Sequence, residues 1–280
     1  MISAFIDGLF QYQFLQNALL TSVMVGLISG VIGSFIILRG MSLMGDAISH
    51  AVLPGVALSY MIGGSYIIGA SLFGLAASAL IGFITEKSKL KNDTAIGIVF
   101  STFFALGIIL ISFAKSSTDL YHILFGNVLA VTDSDMFMTA IVGVCVVLFV
   151  LIFYKELLVS SFDPTMAKVY GLNTTLIHYA LMFLLTLVAV TSLQTVGTIL
   201  VIAMLITPAA TAYFLTDRLS IMIILASTIG VVSAVVGLFF SYTYNLASGA
   251  AIVLTAGVFF TLAFLFAKSK GILRQKKGRN

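Results

Sequence analysis

The chain consists largely of apolar stretches about as long as a lipid bilayer is thick. A helix of about 20 residues crosses a hydrocarbon core of about 30 Å, and such stretches recur along nearly all of the 280 residues. The composition agrees, because 60% of the residues are apolar and only 9% are charged, whereas about 25% of the residues in a soluble domain are charged. We therefore predict an all-α integral membrane protein, and the composition excludes a soluble domain.

Polar breaks divide the chain into about nine predicted transmembrane helices, or eight if the short stretch 46–62 or 196–215 is re-entrant. No hydrophilic domain and no low-complexity linker interrupts them, so residues 1–280 are interpreted as one polytopic helical bundle. The predicted spans are 17–38, 46–62, 65–86, 93–114, 135–154, 173–193, 196–215, 220–243 and 247–267.

Charge in the loops predicts the orientation of the chain in the membrane. Loop 86–93 carries three lysines, and the excess of Lys and Arg in cytoplasmic loops places it inside the cell. Segment 155–172 and the basic tail 268–280 then also lie inside, while loop 115–134 and the N-terminus lie outside. We expect a multi-pass protein of the cell membrane whose C-terminal tail lies near anionic lipid rather than binding nucleic acid.

The run that contains Asp46 and His50 is the strongest candidate for chemistry. The two residues are four apart, so they share one face of a helix and both can contact one ion. Carboxylate and imidazole suit manganese, zinc or iron, and ionisable groups within membrane spans are functional candidates. Two ligands make a poor site, but a homodimer with its two-fold axis through the pore would supply four.

Pro54 follows this pair and predicts a kink, because a proline cannot donate to the carbonyl four residues earlier, which is that of His50. The freed carbonyl is a further candidate oxygen ligand. A structural interpretation stays open beside the metal site. In it, Asp46 is the N-cap of a helix over 47–62, His50 is hydrogen-bonded inside the bundle and Pro54 is an ordinary membrane-helix kink.

A second Asp–His pair, Asp119 and His122, lies in the predicted outer loop. The three-residue spacing suits a ligand pair at the mouth of a pore, but a solvated aspartate and an interfacial histidine explain it equally. His178 lies at the start of the sixth predicted span and is interpreted as a packing or interfacial residue.

Gln194 and Thr207 are candidates for lining a polar path. Pro208 follows Thr207 and repeats the pattern of a proline in an apolar run, freeing the carbonyl of Met204. The alternative for Thr207 is a hydrogen bond back to its own helix.

The cytoplasmic stretch 163–170 has the start and stop signals of a short helix. Asp163 suits the N-cap, Pro164 the first helical position and Gly171 the position just past the end. So short a helix is marginal alone in water, which favours packing against a partner protein or against the membrane surface. Separately, Gly26 and Gly30 form a GxxxG pattern that predicts close packing between membrane helices.

Three runs resemble the permeases of manganese, zinc and iron ABC importers, and the resemblance extends over essentially the whole chain. It is closest to the manganese permeases of Gram-positive bacteria, in which GDAISHAVLPG is typical. The runs are LRGMSLMGDAISHAVLPGVALS at 38–59, STDLYHILFGN at 117–127 and VGTILVIAMLITPAATAY at 196–213.

The resemblance implies that Asp46 and His50 coordinate the transported ion, Mn²⁺ or else Zn²⁺ or Fe²⁺, with no permanently bound cofactor. It also implies a homodimer, a cytoplasmic ABC ATPase and an extracellular metal-binding lipoprotein. Helix 163–170 then resembles the coupling helix, with Asp163, Ala167 and Gly171 at the contact with the ATPase. The chain has no GxxxxGK[ST] phosphate loop, so ATP is used by the partner subunit and the chain itself is not an enzyme.

Two other protein classes fit less well. A secondary transporter driven by an ion gradient is expected to show intramembrane acidic chains or inverted repeats, and neither is visible in the sequence. An intramembrane metalloprotease is expected to carry HExxH, which does not occur, and the three histidines are far apart in sequence.

Overall fold

The computed structural model describes residues 2–113 and 128–267, and within these ranges every regular element is helical. Helices satisfy their own backbone hydrogen bonds, as a chain in lipid must. The α-helices are α1 (Ile2–Gln11), α2 (Gln13–Leu38), α3 (Met44–Ala51), α4 (Leu53–Ile62), α5 (Tyr66–Lys87), α6 (Asn92–Phe113), α7 (Asp133–Ile152), α8 (Tyr154–Phe162), α9 (Pro164–Val169), α10 (Thr174–Val196), α11 (Thr198–Leu215), α12 (Leu219–Tyr244) and α13 (Ser248–Phe266).

The ends of the helices form two faces of the bundle. At one, called the Arg39 face, the C-terminal ends of α2 and α5 meet α8, α9 and the start of α10 around a cleft lined by Arg39 and Lys168. At the other, called the Asp133 face, Asn17 donates a hydrogen bond of 2.7 Å to Asp133, and Gln194 lines a recess nearby. The long helices run from one face to the other. Eight of those described are long and apolar enough to cross a membrane.

Helices α3 and α4 together also run from one face to the other. Helix α3 begins five residues after Arg39, and α4 ends two residues before Gly64, which lines the recess at the Asp133 face. At 1.5 Å per residue the pair is about 28 Å long, enough to cross the hydrocarbon core. The stretch 46–62 therefore runs from one face to the other, and the kink predicted at Pro54 is seen as the break between α3 and α4. The stretch 196–215 contains one continuous helix, α11.

The two prolines of these spans behave differently. Helix α3 ends at Ala51 and α4 begins at Leu53, so the chain is interrupted where Pro54 cannot donate to the carbonyl of His50. Helix α11 instead runs through Pro208 without interruption. A single missing hydrogen bond is tolerated inside a membrane helix when the neighbouring helices hold it in place, and α11 packs against α2, α12 and α13.

Close helix packing depends on small residues, as the GxxxG pattern predicts. Helix α2 lies at the centre of the bundle and contacts α7, α10, α11 and α12. A Cβ atom added to Gly26 would lie 2.7 Å from the carbonyl carbon of Gly230 on α12, and one added to Gly30 would lie 2.7 Å from that of Ala226. The predicted packing role of this pair is confirmed.

Replacing Gly26 with valine is expected to destabilise the bundle. The added side chain would force α2 and α12 apart, and overpacking of this kind typically costs about 1–3 kcal/mol. Thermal unfolding in detergent, followed by size-exclusion chromatography, measures the change. Gly257→Val is the matched control, because a Cβ at Gly257 meets nothing within 4 Å. Equal unfolding temperatures for both variants would contradict the packing role.

Candidate functional site

Asp46 and His50 lie on the open side of α3. His50 Nε2 is 3.4 Å from Asp46 Oδ1, and the two side chains are 27% and 40% exposed, respectively. The residues between them, from Ala47 to Ser49, are buried. Asp46 and His50 therefore share one face of the helix, as predicted, and both side chains have room to contact a ligand outside the bundle.

The alternative role of Asp46 as a helix N-cap is wrong. Helix α3 begins at Met44 with Leu43 in the capping position, and Asp46 lies within the first turn. A carboxylate is favoured there by the positive end of the helix dipole. The Asp46 carboxylate is therefore available to a cation and is not bound to the free backbone amides at the N-terminus of the helix.

Two phenylalanines of α6 hold the ring of His50. The ring centroids of Phe100 and Phe104 lie 5.4 Å and 5.2 Å from that of His50, both in edge-on geometry. Nδ1 of His50 is buried, and no residue in the described ranges is hydrogen-bonded to it. A histidine hydrogen-bonded inside the bundle is therefore not what the structure shows. Aromatic contacts orient the ring, and Nε2 is the nitrogen beside the carboxylate.

One copy of the chain supplies an incomplete metal site. Among the described residues, no group of three or more His, Cys, Asp or Glu side chains lies close enough to hold one ion. Asp46 and His50 contribute one oxygen donor and one nitrogen donor, a set that suits manganese, iron or zinc.

The other predicted polar residues are placed apart from this pair. Gln194 lies at the Asp133 face, in a recess of about 500 Å³ that Asp135 also lines. Thr207 is half-buried on α11, and its carbonyl oxygen accepts a hydrogen bond of 2.7 Å from the Thr211 hydroxyl. Asp119 and His122 lie outside the described residues, as does the basic tail 268–280.

The short helix α9 lies at the Arg39 face. The carboxylate of Asp163 caps it by accepting hydrogen bonds from the backbone amides of Thr165 and Met166, at 3.0 and 2.9 Å. Gly171 ends it with a φ of 79°, a conformation that favours glycine. Only Ala167 of the helix is buried. Most of its surface, including large apolar side chains, is therefore open.

Arg39 joins α2 to the segment that precedes α9. Its Nη2 donates to Ser160 Oγ at 2.8 Å and its Nε donates to Ser161 Oγ at 3.0 Å. Burial lowers the pKa of Arg39 to about 10, so the guanidinium remains charged at neutral pH. His178 lines the same cleft, of about 380 Å³, at the end of the bundle where an interfacial histidine was predicted.

A comparison of the whole sequence with known families decides between the protein classes considered above. The model of the ABC 3 transport family matches residues 11–267. The chain belongs to the ABC 3 transport family.

Individual relatives of this ABC 3 chain are similar over nearly their full lengths. The manganese transport system membrane protein MntC of Listeria monocytogenes is 71% identical over 273 residues, which cover 98% of both chains. The manganese import system permease protein ScaB of Streptococcus gordonii is 56% identical over 276 residues, 99% of both. The solved structure of PsaBC from Streptococcus pneumoniae in complex with Fab matches with a TM-score of 0.88 at 58% identity, covering 99% of this chain and 100% of that one.

The sequence gives weak signals for the site residues that were missed. Phe100 and Phe104 are four apart and so share a face of α6, but nothing local indicates that this face meets His50. The contact of Arg39 with Ser160 and Ser161 joins residues more than 120 positions apart, and only the tertiary fold brings them together.

Replacing Phe104 with alanine is expected to alter the environment of the His50 imidazole, because water reaches Nδ1 once one ring is removed. The chain has three histidines, so ¹⁵N spectra of the histidine-labelled protein have few signals to resolve. We expect the His50 signal to shift and the other two to stay. Phe137→Ala, at an exposed position on α7, is the control. An unchanged His50 signal would show that the ring contact has no effect on the imidazole.

Proposed function

We propose that this chain is the membrane-spanning permease of an ATP-driven ABC importer, and that its cargo is manganese. The observation that carries the proposal is the open Asp46–His50 pair, 3.4 Å apart on an interrupted span. Its donor set suits manganese, and the relatives MntC and ScaB described above are named as manganese transport proteins. The ion is the transported substrate, and no permanently bound cofactor is part of the proposal.

Two copies of the chain form the pore. In a two-fold dimer the same surface of each copy meets at the axis, so two Asp46 carboxylates and two His50 imidazoles can face one ion. The partial exposure of both side chains supports this arrangement. Four donors from two chains form a site that can be opened by moving the chains apart.

The Arg39 face is proposed to be cytoplasmic, which places the C-terminus inside the cell. The lysine-bearing connection between α5 and α6 lies at this face, in agreement with the positive-inside rule. The Asp133 face is then extracellular. Its carboxylates, the exposed Asp133 and the half-buried Asp135, favour the approach of a cation delivered by the metal-binding lipoprotein.

The ATPase subunit is proposed to dock on α9 as a coupling helix. Asp163 and Gly171 set its two ends, while buried Ala167 anchors it to the permease. Met166, Val169 and Tyr170 are exposed at a face outside the membrane core. Large exposed apolar side chains at such a place favour burial against a partner protein.

Transport then follows from this arrangement. The lipoprotein delivers the ion at the Asp133 face, and the ion pauses between the paired Asp46 and His50 side chains before release at the Arg39 face. Manganese binds weakly in the divalent series, so selectivity rests on geometry, delivery and availability. Zinc or iron as the cargo is the alternative, because the same donors serve all three metals.

Uptake of radioactive manganese tests the site. Cells lacking their own importer receive the chain with its ATPase and lipoprotein, and Asp46→Asn is expected to lower uptake at least about tenfold, since loss of even a second-shell partner costs about 10- to 100-fold in metal affinity or activity. His50→Ala is expected to do the same. Asp93→Asn, at an exposed aspartate at the start of α6, is the control and should leave uptake unchanged.

Three outcomes of this assay would overturn parts of the proposal. Full uptake by an assembled Asp46→Asn complex would refute the coordinating role. Uptake without the ATPase would identify a secondary transporter. Competition by zinc or iron with no manganese uptake would change the cargo.

Replacing residues 163–171 with a flexible Gly/Ser linker of equal length is expected to abolish ATPase binding and uptake, because the capped helix and its exposed apolar side chains are lost. Co-purification of the ATPase with the tagged permease measures binding, and the elution volume of the permease alone reports its fold. An ATPase that still co-purifies and drives uptake would refute α9 as the docking helix.

A further inference from the structure

We propose that Arg39 is a positioning residue that transmits movement of α9 to α3, the helix that carries Asp46 and His50. The inference rests on the proposed function, because it takes α9 as the ATPase contact and α3 as the metal-binding element. It assigns to Arg39, Ser160 and Ser161 the role of a mechanical link between the two.

The guanidinium of Arg39 forms two hydrogen bonds, one to each of two neighbouring serines, and this pair of bonds is called the fork. Arg39 donates through Nη2 to Ser160 and through Nε to Ser161, at 2.8 and 3.0 Å. Ser160 is buried and its own hydroxyl donates to the Leu157 carbonyl at 3.3 Å, so its oxygen is oriented to accept. Charged donors make stronger hydrogen bonds than neutral ones, and the planar guanidinium fixes their direction.

On one side the fork is attached rigidly to α9. Ser160 and Ser161 are near the end of α8, and Asp163 directly follows that helix as the cap of α9. The backbone amide of Asp163 donates to the Val159 carbonyl at 2.9 Å, and that of Ala167 donates to the Asp163 carbonyl at 3.0 Å. A displacement of α9 therefore moves the two serines with it.

On the other side the fork is attached rigidly to α3. Arg39 caps the C-terminus of α2, and Gly40 follows with a φ of 64°. The amide of Gly40 donates to the Ile37 carbonyl at 3.2 Å and that of Met41 to the Ile36 carbonyl at 3.0 Å, which is the tight Schellman turn. The amide of Met44, the first residue of α3, donates to the Met41 carbonyl at 2.9 Å. The connection between Arg39 and the helix that carries Asp46 is therefore held by backbone hydrogen bonds at both of its ends.

A second route also leads from α9 to the metal site. Helix α10 follows α9 in the chain and contacts α3 directly. The two routes make different predictions, because only the first depends on the guanidinium. A change at Arg39 tests it while leaving the contact between α10 and α3 in place.

The experiment measures manganese ions transported per ATP hydrolysed by the permease–ATPase complex in proteoliposomes supplied with the lipoprotein. Arg39→Gln is expected to retain the complex and its ATP hydrolysis but to lower this ratio about tenfold, the effect of losing one strong hydrogen bond to a charged group. Arg39→Lys, which keeps the charge but not the fork, should give an intermediate ratio.

Two further variants complete the design. Ser160→Ala combined with Ser161→Ala removes only the acceptors and should reproduce the low ratio, which keeps the test decisive if Arg39→Gln fails to assemble. Thr175→Ala is the control, because Thr175 donates a 3.0 Å hydrogen bond to Glu86 in the same cleft without joining α8 to α2. It should keep the wild-type ratio.

A wild-type ratio in the double serine variant would overturn the proposal and assign transmission to α10. Parallel loss of ATP hydrolysis and transport would also overturn it, because a residue needed only for folding or docking lowers both together. Failure of the proposed function has a different signature. In that case the wild-type complex itself transports no manganese, or Asp46→Asn keeps the wild-type ratio.

Discussion

A proline in a membrane-spanning helix leaves one carbonyl group without its helical partner, and lipid offers no substitute. The interruption at Pro54 must therefore be enclosed by protein, and the helices around it are arranged accordingly. The pair α3–α4 contacts α5, α6, α10 and α11. Gly55 lies against the backbone of Gly69 on α5, and a Cβ at Gly107 of α6 would lie 2.7 Å from Leu53 Cβ. Glycines on the neighbouring helices let their backbones approach the interruption at Pro54 closely enough to shield it from lipid.

The same enclosure shapes the surroundings of His50. A histidine that binds a metal usually donates its second ring N–H to a carboxylate or a carbonyl, which raises its basicity as a ligand. Here Nδ1 is buried beside the rings of Phe100 and Phe104 instead. The imidazole is thus held in orientation without being strengthened as a donor. In the proposed role of His50, a well-oriented but weak ligand suits an ion that is released on every cycle.

Local patterns predicted the features that depend on neighbours in sequence. Proline chemistry located the interruption at Pro54, and the cap signals of Asp163 and Gly171 located α9, because both act over a few residues. The pair Asp46 and His50 followed from helical spacing alone. The apolar run 46–62 did not indicate that the predicted kink would divide it into two helices, because such a run looks the same whether one bent helix or two helices cross the membrane. The contacts that orient these elements, from α6 to His50 and from Arg39 to Ser160, join distant parts of the chain, and no local signal encodes them.

Helix α3 is bounded by the left-handed turn at Gly40 and the break before Pro54, and within it Ser49 Oγ donates to the Gly45 carbonyl at 2.8 Å. It is a short rigid helix that is tied to the end of α2 on one side and interrupted before Pro54 on the other, and both proposed ligands are on it. When such a helix tilts, the spacing of Asp46 and His50 within one copy stays constant, while the gap to the same pair in a facing copy changes. In the proposed two-fold dimer, the affinity for the ion would then be set by the width of that gap.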